Sequence, residues 1–394
     1  MPGYELIGKE ERDAVNEVFD RGGILYRYGF DEARGRIFRV AEFETEFARA
    51  FGGRHAQAVT SGTAALKLAL FALGVRPGDE VITQCHTFVA TVEAVMDLGA
   101  MPVITEVDRT LNMDPRDLER KITDRTRVII PVHMLGAPAR MDEIMKTAGR
   151  NHIPILEDAA QAPGGEYRGR RLGTLGAAGA FSFDFGKVIT TGEGGMVLTD
   201  DERIYLKCRE YADHGHEYNP TLPRGDDSRS TWGFNFKMME LQGAVGLAQL
   251  RKLDLALRLQ RENKRRLKEG IRDLPGIEFR EIADPAGDIG DTLVFFLEDA
   301  RTARRFVQDL RERGMGTKNL PDAIKWHFAG TWDHMLAGAA PYKGRDLMEC
   351  WPASRDLLRR AVALPVFVKM TDDQIAGALR SIGESLGAAR DRRS

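Results

Sequence analysis

The chain has 394 residues, enough for two or three domains, and its 57 Lys+Arg against 59 Asp+Glu leave a formal charge of −2, which argues against nucleic acid as the main partner. No apolar run approaches the roughly 20 residues needed to cross a bilayer, and MPGYELIGKEER lacks the basic segment and apolar run of a signal peptide. Cys85, Cys208 and Cys350 are odd in number and widely spaced, so neither a disulfide framework nor a zinc motif is expected, and a reducing, cytoplasmic setting is.

In chain order, residues 1–54 read as irregular, with helices at 10–19 and 40–51 from apolar spacing of three and four. Between them 22–39 is rich in Gly, Arg and aromatics and reads either as a loop over a site or as a subunit-contact arm. From residue 55 strand and helix alternate: strands at 55–59, 79–83, 102–107, 127–132 and 153–156, helices at 64–73, 87–98, 115–122 and 141–149. That order predicts an α/β layer around a mostly parallel sheet, with ligands beyond the carboxyl ends of its strands. After strands at 179–183 and from Gly195, a helix covers 201–211, a polar loop 214–230, and one long helix 238–271 that suits a connector. A strand at 293–297 and helices at 300–313 and 371–382 suggest a smaller α+β unit.

The chemistry gathers in 153–199. A strand ends in Glu157-Asp158, and Lys187 follows in a turn closed by Glu193-Gly194-Gly195. A lysine on a turn is most often a surface residue, and an Asp before an Ala-rich segment is a preferred helix cap. Together, a carboxylate at a strand end and a lysine in a glycine-rich loop suit pyridoxal phosphate: the amine makes the Schiff base and the acid keeps the pyridine nitrogen protonated. Ser182, five residues before the lysine, can reach a phosphate. Ser61-Gly62-Thr63 opens a helix, and reads either as a phosphate cradle or as a plain N-cap. Phe88 reads as a ring that stacks on the cofactor or as core packing, and Gln161 as a partner for the ring hydroxyl. His214 and His216, two residues apart with no carboxylate pattern, suggest a substrate or subunit contact rather than a metal. His133 is expected near the site, and His327 within reach of substrate.

TSGTAALKLAL, PGDEVIT, TFVAT, EDAAQAPGG, FSFDFGKVITTGEGGMVLTDD, GFNFKMMELQGAVGLAQLRKLD and the WHFAGTWDH region, in this order and spacing, resemble the DegT/StrS group of sugar aminotransferases, fold type I pyridoxal phosphate enzymes. The resemblance spans nearly the whole chain. It implies a large cofactor-binding α/β domain at 1–250, with 1–54 as an N-terminal arm, and a small α+β domain at 251–394. By the same likeness Lys187 is the Schiff-base lysine, Asp158 the pyridinium partner, Gln161 the ring-hydroxyl contact, Gly62, Thr63 and Ser182 the phosphate contacts, and Phe88 the stacking aromatic. Asn235 matches an asparagine that reaches the phosphate from a neighbouring subunit, which implies a homodimer with shared sites.

Two departures stand out. Lys237 occupies a position where the family usually has arginine, and Asp184-Phe185-Gly186-Lys187 replaces the commoner His-Pro-x-Lys. The retained lysine separates the chain from the family's dehydratases. A narrower likeness, in MPGYELIGKEE, Tyr26 to Asp31, VHMLG, ADHGHEY and TWDH, is to the subgroup that aminates 8-oxo-3-deoxy-manno-octulosonate for lipopolysaccharide. It implies glutamate as donor, with Arg27, Arg34, Arg36 or Lys237 on the acceptor's carboxylate. The broader family offers nucleotide-linked 3- or 4-keto-deoxysugars or keto-cyclitols instead.

Overall fold

The computed structural model describes residues 2–391. Its strands are β1 (His55–Val59), β2 (Glu80–Gln84), β3 (Met101–Thr105), β4 (Thr126–Ile130), β5 (Leu156–Asp158), β6 (Glu166–Tyr167), β7 (Arg170–Arg171), β8 (Ala178–Ser182), β9 (Gly195–Thr199), β10 (Glu278–Phe279), β11 (Thr292–Phe296) and β12 (Ala361–Pro365). The ladders β3-β2-β4 and β5-β8-β9-β1 meet through parallel bridges Ile129–Ile155 and Val132–Asp158. In the resulting sheet β9 runs against both its neighbours and the other pairings are parallel.

Side chains alternate across this sheet with the two-residue period of extended backbone. Ala56, Ala58, Ile82, Ile129, Phe181, Met196 and Leu198 enter one core, with the helices Arg39–Phe51, Met141–Arg150 and Glu240–Leu250. Val59, Val81, Val128, Ile130, Ala178, Ala180 and Val197 enter the other, with Gly62–Ala72, Ala90–Asp97 and Glu202–Tyr211. Phe43, Phe47 and Phe181 are fully buried in the first core, each stabilising it by roughly 1.5–3 kcal/mol.

The smaller sheet β10-β11-β12 is antiparallel and packs on Ala300–Glu312 and Asp372–Asp391. The edge strand β3 would expose unpaired backbone groups. Instead Tyr342 accepts from Ile104 N and donates to Pro102 O, Trp351 donates to Ile104 O, and Ser354 accepts from Val107 N. These side chains fasten the segment before β12 to the large layer.

Three elements depart from the expectation. The stretch 238–271 is two helices, Glu240–Leu250 and Leu253–Ile271. The break carries no Gly or Pro. It falls where the Lys252 amine is bound by Glu11, Glu10 and the carbonyl of Leu6. The helix expected from Thr87 starts only at Ala90, and the amides of Thr87 and Val89 before it donate to His327 O and Trp326 O. β5 begins at Leu156, with Ile155 joined to β4 by a single bridge. The polar loop 214–230 is tied down by its own bonds: Asp227 accepts from His216, Tyr218 N and Asn219 N. Asp213 just before it takes Tyr218, Arg224 and Lys237.

Candidate active site

At the carboxyl ends of the central strands lies a cavity of about 510 Å³, lined among others by Gly62, Thr63, Phe88, Asp158, Gln161, Ser182, Lys187 and His327. Five chain segments therefore deliver these predicted residues to one place.

Asp158 ends β5 with its carboxylate buried. One oxygen accepts from the Thr91 hydroxyl at 2.8 Å, the other from Ala160 N at 3.1 Å, so the side chain also makes the cap-like turn that its sequence position suggests. Burial raises its pKa, while Thr91 and Ala160 pull the other way. Thr91 itself is held by the Thr87 hydroxyl at 2.7 Å. The two threonines are the first and last residues of the TFVAT motif.

Lys187 sits on a turn in which its own N–H donates to Asp184 O and Gly186 N–H to the Asp184 carboxylate. Beyond it the loop closes through Thr190, whose hydroxyl donates to Phe183 O and accepts from Gly192 N, at a glycine with φ +83. The N-terminal helix Pro2–Glu5 buttresses this turn: Gly3 N donates to Lys187 O at 2.8 Å, and Tyr4 stacks on Phe185 with ring centroids 5.3 Å apart. A Cβ on Gly3 would stand 2.6 Å from that carbonyl, so only glycine fits. Burial lowers the pKa of the Lys187 amine; Lys318 adds to the effect, and Asp184 and Asp158 oppose it.

The helix Gly62–Ala72 is capped by Ser61, whose hydroxyl accepts from Ala64 N at 3.1 Å. That leaves the amides of Gly62 and Thr63 for the cavity, beside the Ser182 hydroxyl. A Cβ on Gly62 would come within 2.7 Å of Ser182 Cβ. Gln161 Oε1 accepts from Leu135 N at 3.1 Å, which leaves its amide N–H groups as donors. Phe88 is 41% exposed although it lines a cavity, its ring 5.5 Å from that of His327. His327 Nδ1 donates to Ala323 O at 2.8 Å, so Nε2 is the acceptor. Burial lowers the pKa of this imidazole to about 4, and it is neutral near pH 7.

The set fits pyridoxal phosphate. Helix-end amides and a hydroxyl suit its phosphate, a buried acid suits a cationic ring nitrogen, an amide donor suits the ring oxygen, and an exposed ring suits its face. His133 lies beside the site as expected, its N–H on Asp158 O at 3.1 Å, but its buried ring pairs with Glu157 at 3.1 Å rather than lining the cavity.

The other expected residues lie outside this cavity. Arg27 is buried, but its guanidinium donates to Glu44 at 2.5 Å and to Ala58 O, because the core-facing Glu44 requires a counter-ion there. Lys237 donates to Asp213 at 2.6 Å. Burial works against that carboxylate, but Lys237, Tyr218 and Arg224 outweigh it and hold its pKa at about 2. His216 faces Asp227 at 3.3 Å. Asn235 is exposed and bridges Asp213 through its backbone. Lys318, Asn319 and Asp291 do line the cavity and were not foreseen; they lie over 100 residues from Lys187 and carry no local motif.

The model of the DegT/DnrJ/EryC1/StrS aminotransferase family matches residues 7–382, and the chain belongs to that family. It is 36% identical to the GDP-perosamine synthase of Escherichia coli O157:H7, over 98% of each chain. It is 33% identical to the spore coat polysaccharide biosynthesis protein SpsC of Bacillus subtilis (strain 168), over 98% of this chain and 96% of that one. The solved structure of the aminotransferase from Psychrobacter cryohalolentis superposes with a TM-score of 0.84 at 27% identity, over 97% of each chain. The fold is that of fold type I aminotransferases, and the protein is a pyridoxal phosphate-dependent sugar aminotransferase.

Proposed function

We propose that this enzyme moves the amino group of glutamate to the carbonyl carbon of a nucleotide-linked keto-deoxysugar, and that it acts as a homodimer with shared sites. The observation that carries the choice of acceptor is the state of the four cations that a sugar acid would need. Arg27 is held by Glu44 and Lys237 by Asp213. Arg34 is buried against Glu240 and three backbone carbonyls, and Arg36 is exposed beside Glu32. None of the four lines the cavity that holds Lys187, so none is placed to receive a substrate carboxylate there. The likeness to a GDP-perosamine synthase along the whole chain supports the same reading.

Bound in the cavity, pyridoxal phosphate supplies an aldehyde that takes up the amino group and a ring that accepts the electron pair released at the donor's α-carbon. The chain supplies the rest. The amides of Gly62 and Thr63 and the Ser182 hydroxyl hold the phosphate. Asp158 keeps a proton on the ring nitrogen, Gln161 donates to the ring oxygen, and Phe88 covers one face. The Lys187 amine, whose pKa burial lowers, would take the α-proton and return it on the cofactor side. The neutral Nε2 of His327 faces substrate as an acceptor.

A donor–acceptor screen tests the reading. Purified enzyme with glutamate should release 2-oxoglutarate and aminate a nucleotide-linked 3- or 4-keto-deoxysugar, followed by mass spectrometry. Turnover of 8-oxo-3-deoxy-manno-octulosonate, with no turnover of nucleotide-linked sugars, would overturn it.

A further inference from the structure

We propose that Lys318, braced by Asp291, receives the α-carboxylate of the amino donor. This deepens the reading above: it rests on an amino-acid donor and is independent of the acceptor. Lys187, His327, Asn319, Asp291 and Lys318 line one cavity, and Lys318 is its cation besides Lys187. The Lys318 backbone is fixed by its N–H on Ala363 O at 2.7 Å and by Leu320 N on its own carbonyl at 2.7 Å. Its amine is bound to the buried carboxylate of Asp291. Asp291 is held in turn by the Thr292 hydroxyl at 2.8 Å and by Val366 N on its carbonyl at 2.9 Å. The neighbouring strands β11 and β12 therefore fix one ammonium.

An ammonium has three N–H donors. Asp291 uses one, and the side chain stays 21% exposed. Asn319 adds an amide engaged only by a 3.5 Å contact with Gln161. The Lys318 charge reaches both Lys187 and His327, since it helps to depress each of them. That proximity selects the ligand. In an amino acid the carboxylate is bonded to the carbon that carries the amine, so it must lie beside Lys187 when that carbon gives up its proton. In a nucleotide-linked sugar the diphosphate is attached at the anomeric carbon, ring atoms away from the reacting carbonyl. An anion seat next to Lys187 therefore fits the donor.

The test reads the donor half-reaction alone, as loss of the visible band of cofactor-loaded enzyme on adding an amino acid, with no sugar present. Wild-type enzyme should use glutamate about 10²-fold better than its α-amide, the loss of one charged contact. Lys318→Met should lower the apparent affinity for glutamate by about the same factor, and equally that for 2-oxoglutarate titrated by calorimetry. It should lower use of the α-amide far less than use of glutamate and leave the KM for the sugar unchanged, and Lys318→Arg should recover most of the loss. Equal loss for glutamate and its α-amide, or an effect on sugar KM alone, would overturn the assignment. So would wild-type enzyme that accepts the α-amide as readily as glutamate, a result that needs no variant to fold. Amination of a different sugar would end the acceptor reading and leave this one standing.

Discussion

Burial acts in opposite directions on Asp158 and Lys187, and each shift serves a different step. The raised pKa of Asp158 means that its ionised form is disfavoured in the folded chain. Its contribution to stability is therefore complete below the ordinary carboxylate range and is lost as pH rises through the raised value. Asp158→Asn removes that loss while keeping the shape. Without cofactor, the variant at pH 7.5 should melt no lower than wild type. With cofactor, its turnover should fall about 10²–10³-fold, since the ring nitrogen loses a buried counter-ion. A melting temperature clearly below wild type would show instead that the bonds from Thr91 and Ala160 dominate the carboxylate's balance. The Lys187 shift has the other sign. Its pKa is lowered from 10.5, so the neutral amine becomes available at lower pH than for a free lysine. The rate of the donor half-reaction should rise with pH through a single limb below 10.5. A limb at or above the free-lysine value would mean that another group takes the proton, as would a surviving limb in Lys187→Ala.

At the scale of elements, the helix Gly62–Ala72 shows how close packing makes a binding site. Ser61 caps it, and Gly62 lets its first turn approach Ser182 at the end of β8. Gly62→Ala places a methyl group 2.7 Å from Ser182 Cβ, and neither backbone can yield without moving the helix start. Overpacking of this kind costs about 1–3 kcal/mol, so the apparent dissociation constant of pyridoxal phosphate should rise tenfold or more. Far-ultraviolet circular dichroism should be unchanged, because the rest of the helix is buried on apolar side chains. Unchanged cofactor affinity would move the phosphate seat elsewhere. This helix was legible in the sequence because capping and periodicity are local. So was the clustering of Gly62, Phe88, Asp158 and Lys187, since a parallel sheet collects the ends of its strands on one side. The break at residues 251–252 was not legible, because no Gly or Pro marks it and the contacts at Lys252 come from Glu10 and Glu11, 240 residues away. Lys318 and Asp291 were hidden for the same reason: what marks them is a tertiary ion pair, and neither residue has a neighbour that announces it.

Taken as a whole molecule, the chain leaves one of its predicted phosphate contacts, Asn235, outside its own cavity. Asn235 is exposed, and it lies in a strip where Trp232, Phe234 and Met239 are also exposed. Trp232 is 62% exposed although its ring touches those of Phe71, Tyr211 and Phe234. Neighbouring polar residues are rigidly committed: Asp213 ties Lys237, Arg224 and Tyr218 together, so the strip is presented on a fixed support. A self-complementary dimer would cover these rings and carry Asn235 to the partner's phosphate seat. The consequence is open to a complementation experiment. Lys187→Ala and Asn235→Ala are each expected to be inactive as homodimers. Co-expressed with different tags and purified through both, the mixed dimer pairs an intact Lys187 with an intact Asn235 at one of its two sites. It should therefore show about half of wild-type turnover, because a two-fold axis places one complete set of groups in each mixed dimer. If each chain used its own Asn235, both sites would carry a lesion and the mixed dimer would be as inactive as its parents.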